Sequence, residues 1–352
     1  MSDDALLEMP FLRNIGFVLT YQCQVACPHC IIQAGPHRTE AMTLEDALDW
    51  VEKAARYRDG YIKILSLTGG EPFFDIPKLK QISDSAHQQG FIVSAVTNAF
   101  WATTPDEAVN ILRNLPAIKM LAISADEYHQ VSIPFERVEN AIFAAKTCGI
   151  PYNVHVCTEN ELDENYRQII DSLLKVTEVD TINTAVTFPV GRALKRLGVS
   201  GYDTTPEPPC SACVAASSPI IFPDGRVIAC IGAVIDLDSD HPLVLGNLRK
   251  NTLEEILDRA EINPILHTLR VWGPRKLISL IQQAGLGEDL PATYIKDSVC
   301  YACYHLMSSP KIVEFLTGLA QEADFREKIA YARVYYLQET RMAEVCLGHQ
   351  EA

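Results

Sequence analysis

The sequence predicts an α/β fold in which six parallel strands curl into part of a TIM-like barrel, a partial (β/α)6 unit followed by a cysteine-rich, mostly helical C-terminal region. Two observations carry this expectation. Between Asn14 and Val186, short apolar and β-branched runs alternate with helical patterns. After Leu194 that alternation gives way to prolines and cysteines. With 352 residues, 48% of them hydrophobic and 21% charged, the chain has an ordinary globular composition and room for one large unit with an appendage.

The predicted strands cover residues 16–20, 62–67, 91–97, 118–124, 152–157 and 181–186. Each is nearly continuous in apolar residues, as strands covered on both faces must be. The first helix is marked by Thr43 and Asp46 in capping-box spacing, by an apolar stripe of Ala47, Leu48, Val51 and Ala55, and by Gly60 as a stop. Later helices are expected at about 78–88, 105–112, 134–147 and 161–174. Right-handed crossovers between such units curl the sheet toward a barrel and leave functional residues at the strand C-termini. Pro206, Pro208 and Pro209 interrupt regular structure beyond the barrel. A hairpin is then expected, with arms at 220–222 and 227–229 around Pro223-Asp224-Gly225. Thr252 and Glu255 cap a further helix, and 324–347 reads as one long amphipathic helix. The expected organisation is a barrel over 1–194, a cysteine-rich domain over 195–310 and C-terminal helices over 311–352.

The formal net charge is −15 and the isoelectric point is near 5.0. No lysine or arginine run interrupts that balance, so nucleic acid is not an expected partner, whereas an acidic surface suits a basic peptide. Residues 1–10 carry Asp3, Asp4 and Glu8 and do not read as a signal peptide. No apolar run is long enough to span a membrane, and a cytoplasmic location is expected. In that setting the 11 cysteines should be thiols or metal ligands rather than a disulfide framework.

Cys23, Cys27 and Cys30 lie directly after the first predicted strand, spaced C-x-x-x-C-x-x-C. Three thiolates on one short loop can ligate three corners of an iron–sulfur cubane and leave the fourth iron open for chemistry. The plainer alternative is a structural zinc completed by His29 or His37. The second strand ends in Thr68-Gly69-Gly70-Glu71-Pro72, where two glycines permit close backbone approach and Glu71 can pair with an ammonium.

In these two motifs the sequence resembles the radical S-adenosylmethionine (SAM) superfamily. The resemblance implies a [4Fe–4S] cluster on Cys23, Cys27 and Cys30, with SAM chelating the open iron. It also implies reductive cleavage of SAM to a 5′-deoxyadenosyl radical that abstracts a substrate hydrogen, with electrons from a donor such as flavodoxin or ferredoxin. Gly69, Gly70, Glu71 and Pro72 look like the family's GGEP motif at the methionyl amino group. Thr97 and Asn98 after the third strand, and Ser124 and Asp126 after the fourth, look like ribose and methionine contacts, or else cap the following helices. Phe188-Pro189-Val190-Gly191-Arg192-Ala193 is similar to a segment placed beside the adenosyl group, which makes Arg192 a cofactor contact or a surface charge. Tyr128 and His129 are candidates for substrate binding or proton transfer.

A second set comprises Cys210, Cys213, Cys230, Cys300 and Cys303. It resembles the shortened, single-cluster form of the SPASM domain, often called a twitch domain, and implies an auxiliary [4Fe–4S] cluster on Cys213, Cys230, Cys300 and Cys303. A structural zinc is the alternative. Cys210 is left as a thiol available for catalysis, and Cys148, Cys157 and Cys346 read as buried small hydrophobes.

Within the superfamily the resemblance points to peptide-modifying members, in particular peptide epimerases. They share Ser124-x-Asp126-x-Tyr128-His129, Asn98-Ala99-Phe100-Trp101 and the spacing of Cys230 and Cys300-x-x-Cys303. One departure bears on mechanism, because Ile231 stands where the epimerase branch places a hydrogen-donating cysteine. Either another thiol such as Cys210 quenches the radical, or the auxiliary cluster accepts an electron and the product is a thioether or carbon–carbon crosslink. Dehydrogenation or epimerisation of a small molecule such as an aminocyclitol, and a non-catalytic iron–sulfur or zinc protein, are the other classes.

Overall fold

The computed structural model describes residues 11–196 and 201–343; Cys346 and the end of the predicted C-terminal helix lie outside the described residues. The chain divides into two compact units. One comprises Asn14–Asp203 with Ile221–Gly225, and the other, among the described residues, comprises 11–13, 204–220 and 226–343.

The first unit holds β1 (Asn14–Val18), β2 (Ile64–Thr68), β3 (Ile92–Thr97), β4 (Ile118–Ser124), β5 (Tyr152–Thr158) and β6 (Ile182–Val186). Each pairs in parallel with the next. Six helices separate them: α1 (Leu44–Arg56), α2 (Ile76–Gln88), α3 (Pro105–Arg113), then after β4 the single turn α4 (Glu127–Gln130) with α5 (Phe135–Cys148), and α6 (Glu164–Leu173) after β5. α7 (Gly191–Arg196) follows β6. This is the partial TIM-like α/β barrel expected from the sequence. Register brings the strand ends together, with Val18 opposite Thr68, Thr97 opposite Ile123, Ser124 opposite His155 and Thr158 opposite Val186. The loops that follow therefore emerge on one rim.

Local chemistry sets the helix starts. Thr43 Oγ1 accepts from Asp46 N–H at 3.0 Å, Asp75 Oδ1 from Lys78 N–H at 3.0 Å and Thr104 Oγ1 from Glu107 N–H at 3.2 Å. α6 begins later than expected because Asp163 caps it, accepting from Asn165 and Tyr166 N–H at 2.8 and 3.2 Å, and residues 159–162 remain loop. Phe17, Leu65, Leu67, Val93, Ala95, Ile123 and Val154 fill the core. β6 departs from the expectation that every strand is covered, since Asn183, Thr184 and Ala185 are exposed. A partial barrel ends in a terminal strand, and polar residues at that edge discourage pairing with other chains.

Among the described residues the second unit holds β7 (Thr204–Thr205), β9 (Arg226–Ile228), β10 (Val244–Asn247) and β11 (Tyr294–Ile295), with β8 (Ile220–Ile221) where the chain passes between units. Its helices are α8 (Leu253–Glu261), α9 (Pro264–Trp272), α10 (Pro274–Gln283), α11 (Val299–Ser308), α12 (Pro310–Leu319) and α13 (Ala323–Leu337). Gly225, at φ +84, makes the expected turn and donates its N–H to Phe222 at 2.9 Å. The capping box of Thr252 and Glu255 opens α8. β10, which pairs antiparallel with β9, and the two-residue pair β7–β11 were not apparent from the sequence. No described helix is long and apolar enough to cross a membrane.

The long final helix expected from the sequence stops at Leu337, where Gln338 turns left-handed at φ +53. The turn delivers the Glu339 carboxylate to two almost fully buried guanidiniums, Arg270 Nη2 and Arg333 Nε, both at 2.6 Å. Burial alone would raise the Glu339 carboxyl, but Arg270 and Arg333 hold it below the ordinary carboxylate value. Its stabilising share is thus present above the unfolded carboxylate pKa and lost as pH falls through the lower, folded one. Glu339→Ala should cost about 3 kcal/mol by stranding two buried cations. Denaturant unfolding as a function of pH checks this: the variant should be less stable at neutral pH, and the deficit should shrink in acid.

Candidate cofactor and metal site

The loop after β1 is shaped by its own backbone. Cys23 N–H donates to Gly35 at 3.3 Å and Gly35 N–H to Tyr21 at 3.1 Å, closing its base, while Cys30 N–H donates to Cys27 at 3.2 Å in a tight turn. Arg192 clasps it from α7, donating to the Cys27 carbonyl at 2.8 Å and the Ala34 carbonyl at 2.6 Å. The backbone after β2 locks against the same segment, with Gly70 N–H donating to Thr20 at 2.6 Å and Glu71 N–H to Gln22 at 3.0 Å. A Cβ on Gly69 would stand 2.5 Å from the Thr20 carbonyl oxygen, and one on Gly70 2.1 Å from that of Gln22. The two glycines are thus needed for approach of protein to protein, beside any approach to a ligand.

Cys23 and Cys27 are buried and Cys30 is half-buried, in a cluster with Val25, Ala34, Tyr128 and Ile133. Burial pushes the Cys23 thiol up to about 12 and raises Cys30 as well. Donors already face the sulfurs, Asn98 Nδ2 at 3.4 Å from Cys23 Sγ and Ala34 N–H at 3.3 Å from Cys30 Sγ. Three thiolates in apolar surroundings need a cationic group to offset their desolvation. Thiolates on one zinc stand about 3.8 Å apart, since each Zn–S bond is about 2.3 Å. Among the described residues His29, Asp126 and His129 are the one histidine, cysteine or acidic trio whose ligand atoms all lie within 4.8 Å of one another. His29, the candidate fourth ligand of a zinc, is turned to Asp126, and three thiolates on one loop suit three corners of a cubane.

Glu71, fully buried, joins the ends of β2 and β3. Oε1 accepts from Phe73 N–H at 3.0 Å and Thr97 Oγ1 at 2.9 Å, and Oε2 from Asn98 N–H at 2.8 Å. Burial raises its carboxyl to about 7 against the pull of those donors. One lone-pair position remains on Oε2, where an ammonium can bind. Thr97 has none to spare, because its hydroxyl also accepts from Trp101 Nε1 at 2.9 Å and Ala99 N–H at 3.1 Å. Thr97 therefore positions Glu71. Pro72, buried, starts the turn that carries Phe73 onto Trp101 with ring centroids 4.6 Å apart.

After β4, half-buried Ser124 precedes Asp126, which both caps α4 and pairs with imidazoles. Its Oδ1 accepts from His129 N–H at 3.1 Å and lies 2.7 Å from His129 Nδ1, and Oδ2 is 3.5 Å from His29 Nε2. Burial disfavours charge on His129, yet Asp126 outweighs it and holds the imidazole well above its ordinary value. Burial instead lowers His29 to about 4. His129 also reaches the Cys27 sulfur. The Tyr128 hydroxyl donates to Glu159, the first residue after β5.

In the second unit, Cys213, Cys230, Cys300 and Cys303 line one pocket with Gly232, and Cys210 is exposed. A Cβ on Gly232 would stand 3.2 Å from Cys230 Sγ and 3.5 Å from Cys300 Sγ. Burial raises all four thiols. Cys148 and Cys157 are half-buried rather than core residues. Sequence reasoning missed Glu159, although the strand-end rule that found Asn98 and Asp126 would have reached it at the end of β5. The same rule reaches Thr187 at the end of β6, whereas Tyr202 carried no such signal.

Residues 17–173 match the family model described as the Radical SAM superfamily. A Bacillus subtilis (strain 168) relative named as a peptide biosynthesis protein, YydG, is 20% identical over 313 residues, covering 86% of this chain and 94% of its own. Similar solved structures include BtrN in complex with AdoMet and 2-DOIA, at 13% identity, TM-score 0.44, and coverage of 75% of this chain and 89% of that one. Another is methylornithine synthase (PylB), at 15% identity, TM-score 0.39, and coverage of 53% and 57%.

Gly70→Ala should unseat the cysteine loop and lower the iron retained after anaerobic reconstitution, whereas Gly318→Ala, with nothing within 4 Å of its added Cβ, should retain the full complement. Iron and sulfide analysis of the two variants distinguishes these outcomes.

Proposed function

Because residues 17–173 match the Radical SAM superfamily model, we propose that this chain cleaves SAM reductively and modifies a ribosomally made peptide. The observation that carries the first half is the loop of Cys23, Cys27 and Cys30 hydrogen-bonded to the Gly69-Gly70-Glu71 backbone at the barrel rim. The second half is supported by the relative named for peptide biosynthesis, which aligns along 86% of the chain.

Cys23, Cys27 and Cys30 would hold the first [4Fe–4S] cluster, and Cys213, Cys230, Cys300 and Cys303 a second. When bound, the first cluster and SAM supply the 5′-deoxyadenosyl radical for hydrogen abstraction. Glu71 offers its remaining lone pair to the methionyl ammonium, held in place by Thr97 and Asn98. Gly69, Gly70 and Pro72 fix that turn. Ser124 and Asp126 present polar groups at the same rim, and Arg192 secures the loop carrying the thiols. The Asp126–His129 pair fixes the loop beside Cys27, and Tyr128 reaches the polar groups after β5. In the second unit Cys210 is an exposed thiol that can give a hydrogen atom to a substrate radical; exposed Ile231 cannot. The electron donor would be a small reductant of the flavodoxin or ferredoxin kind. We assign the radical chemistry to 1–194, the second cluster to 195–310 and supporting helices to 311–352.

Anaerobically reconstituted protein should hold about eight irons, and the Cys23→Ala/Cys27→Ala/Cys30→Ala variant about four with no SAM cleavage. Retention of no iron by the variant would remove the second cluster. Coexpression with a short peptide encoded beside its gene, followed by mass spectrometry in D2O, tests the peptide half. Epimerisation leaves one deuterium at the modified residue, a crosslink removes two hydrogens, and an unchanged peptide contradicts the proposal.

A further inference from the structure

Beyond the ends of β5 and β6, three buried polar atoms are left without hydrogen-bond partners by the arrangement described so far. Glu159 follows Thr158, the last residue of β5, and Thr187 follows Val186, the last of β6. Thr187 N–H donates to the Thr158 carbonyl at 2.9 Å, which sets Thr187 beside Glu159. Gly201 packs so that an added Cβ would lie 3.7 Å from Glu159 Cβ, bringing its neighbour Tyr202 to the same carboxylate. Tyr128 joins the group from α4, donating to Glu159 Oε2.

Glu159 Oε1, Thr187 Oγ1 and the Tyr202 hydroxyl are all buried and make no hydrogen bond. Thr187 and Tyr202 are 1% and 7% exposed. Orphaned buried polar atoms are costly, and three on adjoining segments mark a site that a ligand completes. The charge is one-sided. Burial raises Tyr128 and Tyr202 and Glu159 adds to it, and Asp126 and Glu159 add to the burial that pushes the Cys157 thiol up to about 12. Among the described residues no lysine or arginine hydrogen-bonds to Glu159. Three acceptor oxygens, one of them anionic, match the three N–H donors of a primary ammonium.

We propose that Glu159, Thr187 and Tyr202 form a subsite for the ammonium of a basic substrate side chain, such as a lysine in the modified peptide. This rests on the reading of the barrel rim as a substrate site, and it names the charge of that substrate. The subsite selects for the cation of the substrate, whereas the remaining lone pair of Glu71 is assigned to the methionyl ammonium.

Calorimetric titration of the reconstituted, SAM-loaded protein with N-acetyl-lysine N′-methylamide and with its neutral isostere N-acetyl-norleucine N′-methylamide tests the assignment without requiring turnover. The lysine probe should bind at least about tenfold more tightly, and Glu159→Gln should reduce that preference to about twofold, because a charge-assisted hydrogen bond is lost. Thr187→Val and Tyr202→Phe should each weaken the lysine probe by about threefold and leave the norleucine probe unchanged, which decides the matter even where Glu159→Gln does not fold. SAM affinity, measured on the same samples, should stay at the wild-type value. Equal binding of the two probes, a preference that survives these substitutions, or a parallel fall in SAM affinity, which would make these groups cofactor contacts, overturns the proposal. Lysine preference in a protein that fails to cleave SAM would leave the subsite standing and remove the radical reading instead.

Discussion

The backbone of Gly69 and Gly70 lies so close to Thr20 and Gln22 that no side chain fits between them, and the rest of the site depends on that approach. It couples two consecutive strand ends of the barrel. The loop bearing Cys23, Cys27 and Cys30 cannot drift from the turn bearing Glu71, because the Gly70 and Glu71 amides are spent on the carbonyls of Thr20 and Gln22. Arg192 makes a third tie from the far end of the barrel sequence, to the carbonyls of Cys27 and Ala34. A flexible loop with three thiols would bind metal in many ways, whereas one held at both ends presents one arrangement.

Three carboxylates occupy this rim, and each is handled differently. Glu71 is fully enclosed and is stabilised by neutral donors, which leave it raised to about 7. Asp126 is equally buried but is held low by the His129 imidazole, making a local ion pair. Glu159 has only a tyrosine donor, and one of its oxygens is unpartnered. Asp126 is absorbed into the architecture beside the cluster loop, and Glu71 into the turn against it apart from one lone pair. The third has no cationic hydrogen-bond partner among the described residues, which suits it to a cationic ligand rather than to holding the fold.

The six strands were legible in the sequence because each is a compact apolar run bounded by a helix signal, and β4 runs from Ile118 to Ser124 as read. The cysteine triplet and the Gly-Gly-Glu-Pro turn were legible because thiols and paired glycines have few other uses at such spacing. What escaped depended on contacts distant in sequence. The end of α13 is fixed by Glu339 meeting Arg270, 69 residues away, and no local pattern announces that. β7 and β11 are two-residue strands that exist only as each other's partner. Arg192 reads as a cofactor contact or a surface charge until its carbonyl partners, 165 and 158 residues earlier, are seen. The sequence left five C-terminal cysteines competing for four places, and the fold brings four of them to one pocket while leaving Cys210 outside it.

The most direct test of the account is the electron paramagnetic resonance spectrum of the reduced, reconstituted protein before and after addition of SAM. The account requires one reduced cluster whose signal shifts on adding SAM, because its fourth iron has no protein ligand, and loss of that shifting signal when Cys23, Cys27 and Cys30 are replaced by alanine. A spectrum indifferent to SAM in the intact protein would mean that the three-thiol loop holds no open iron, and the functional reading built on it would fall.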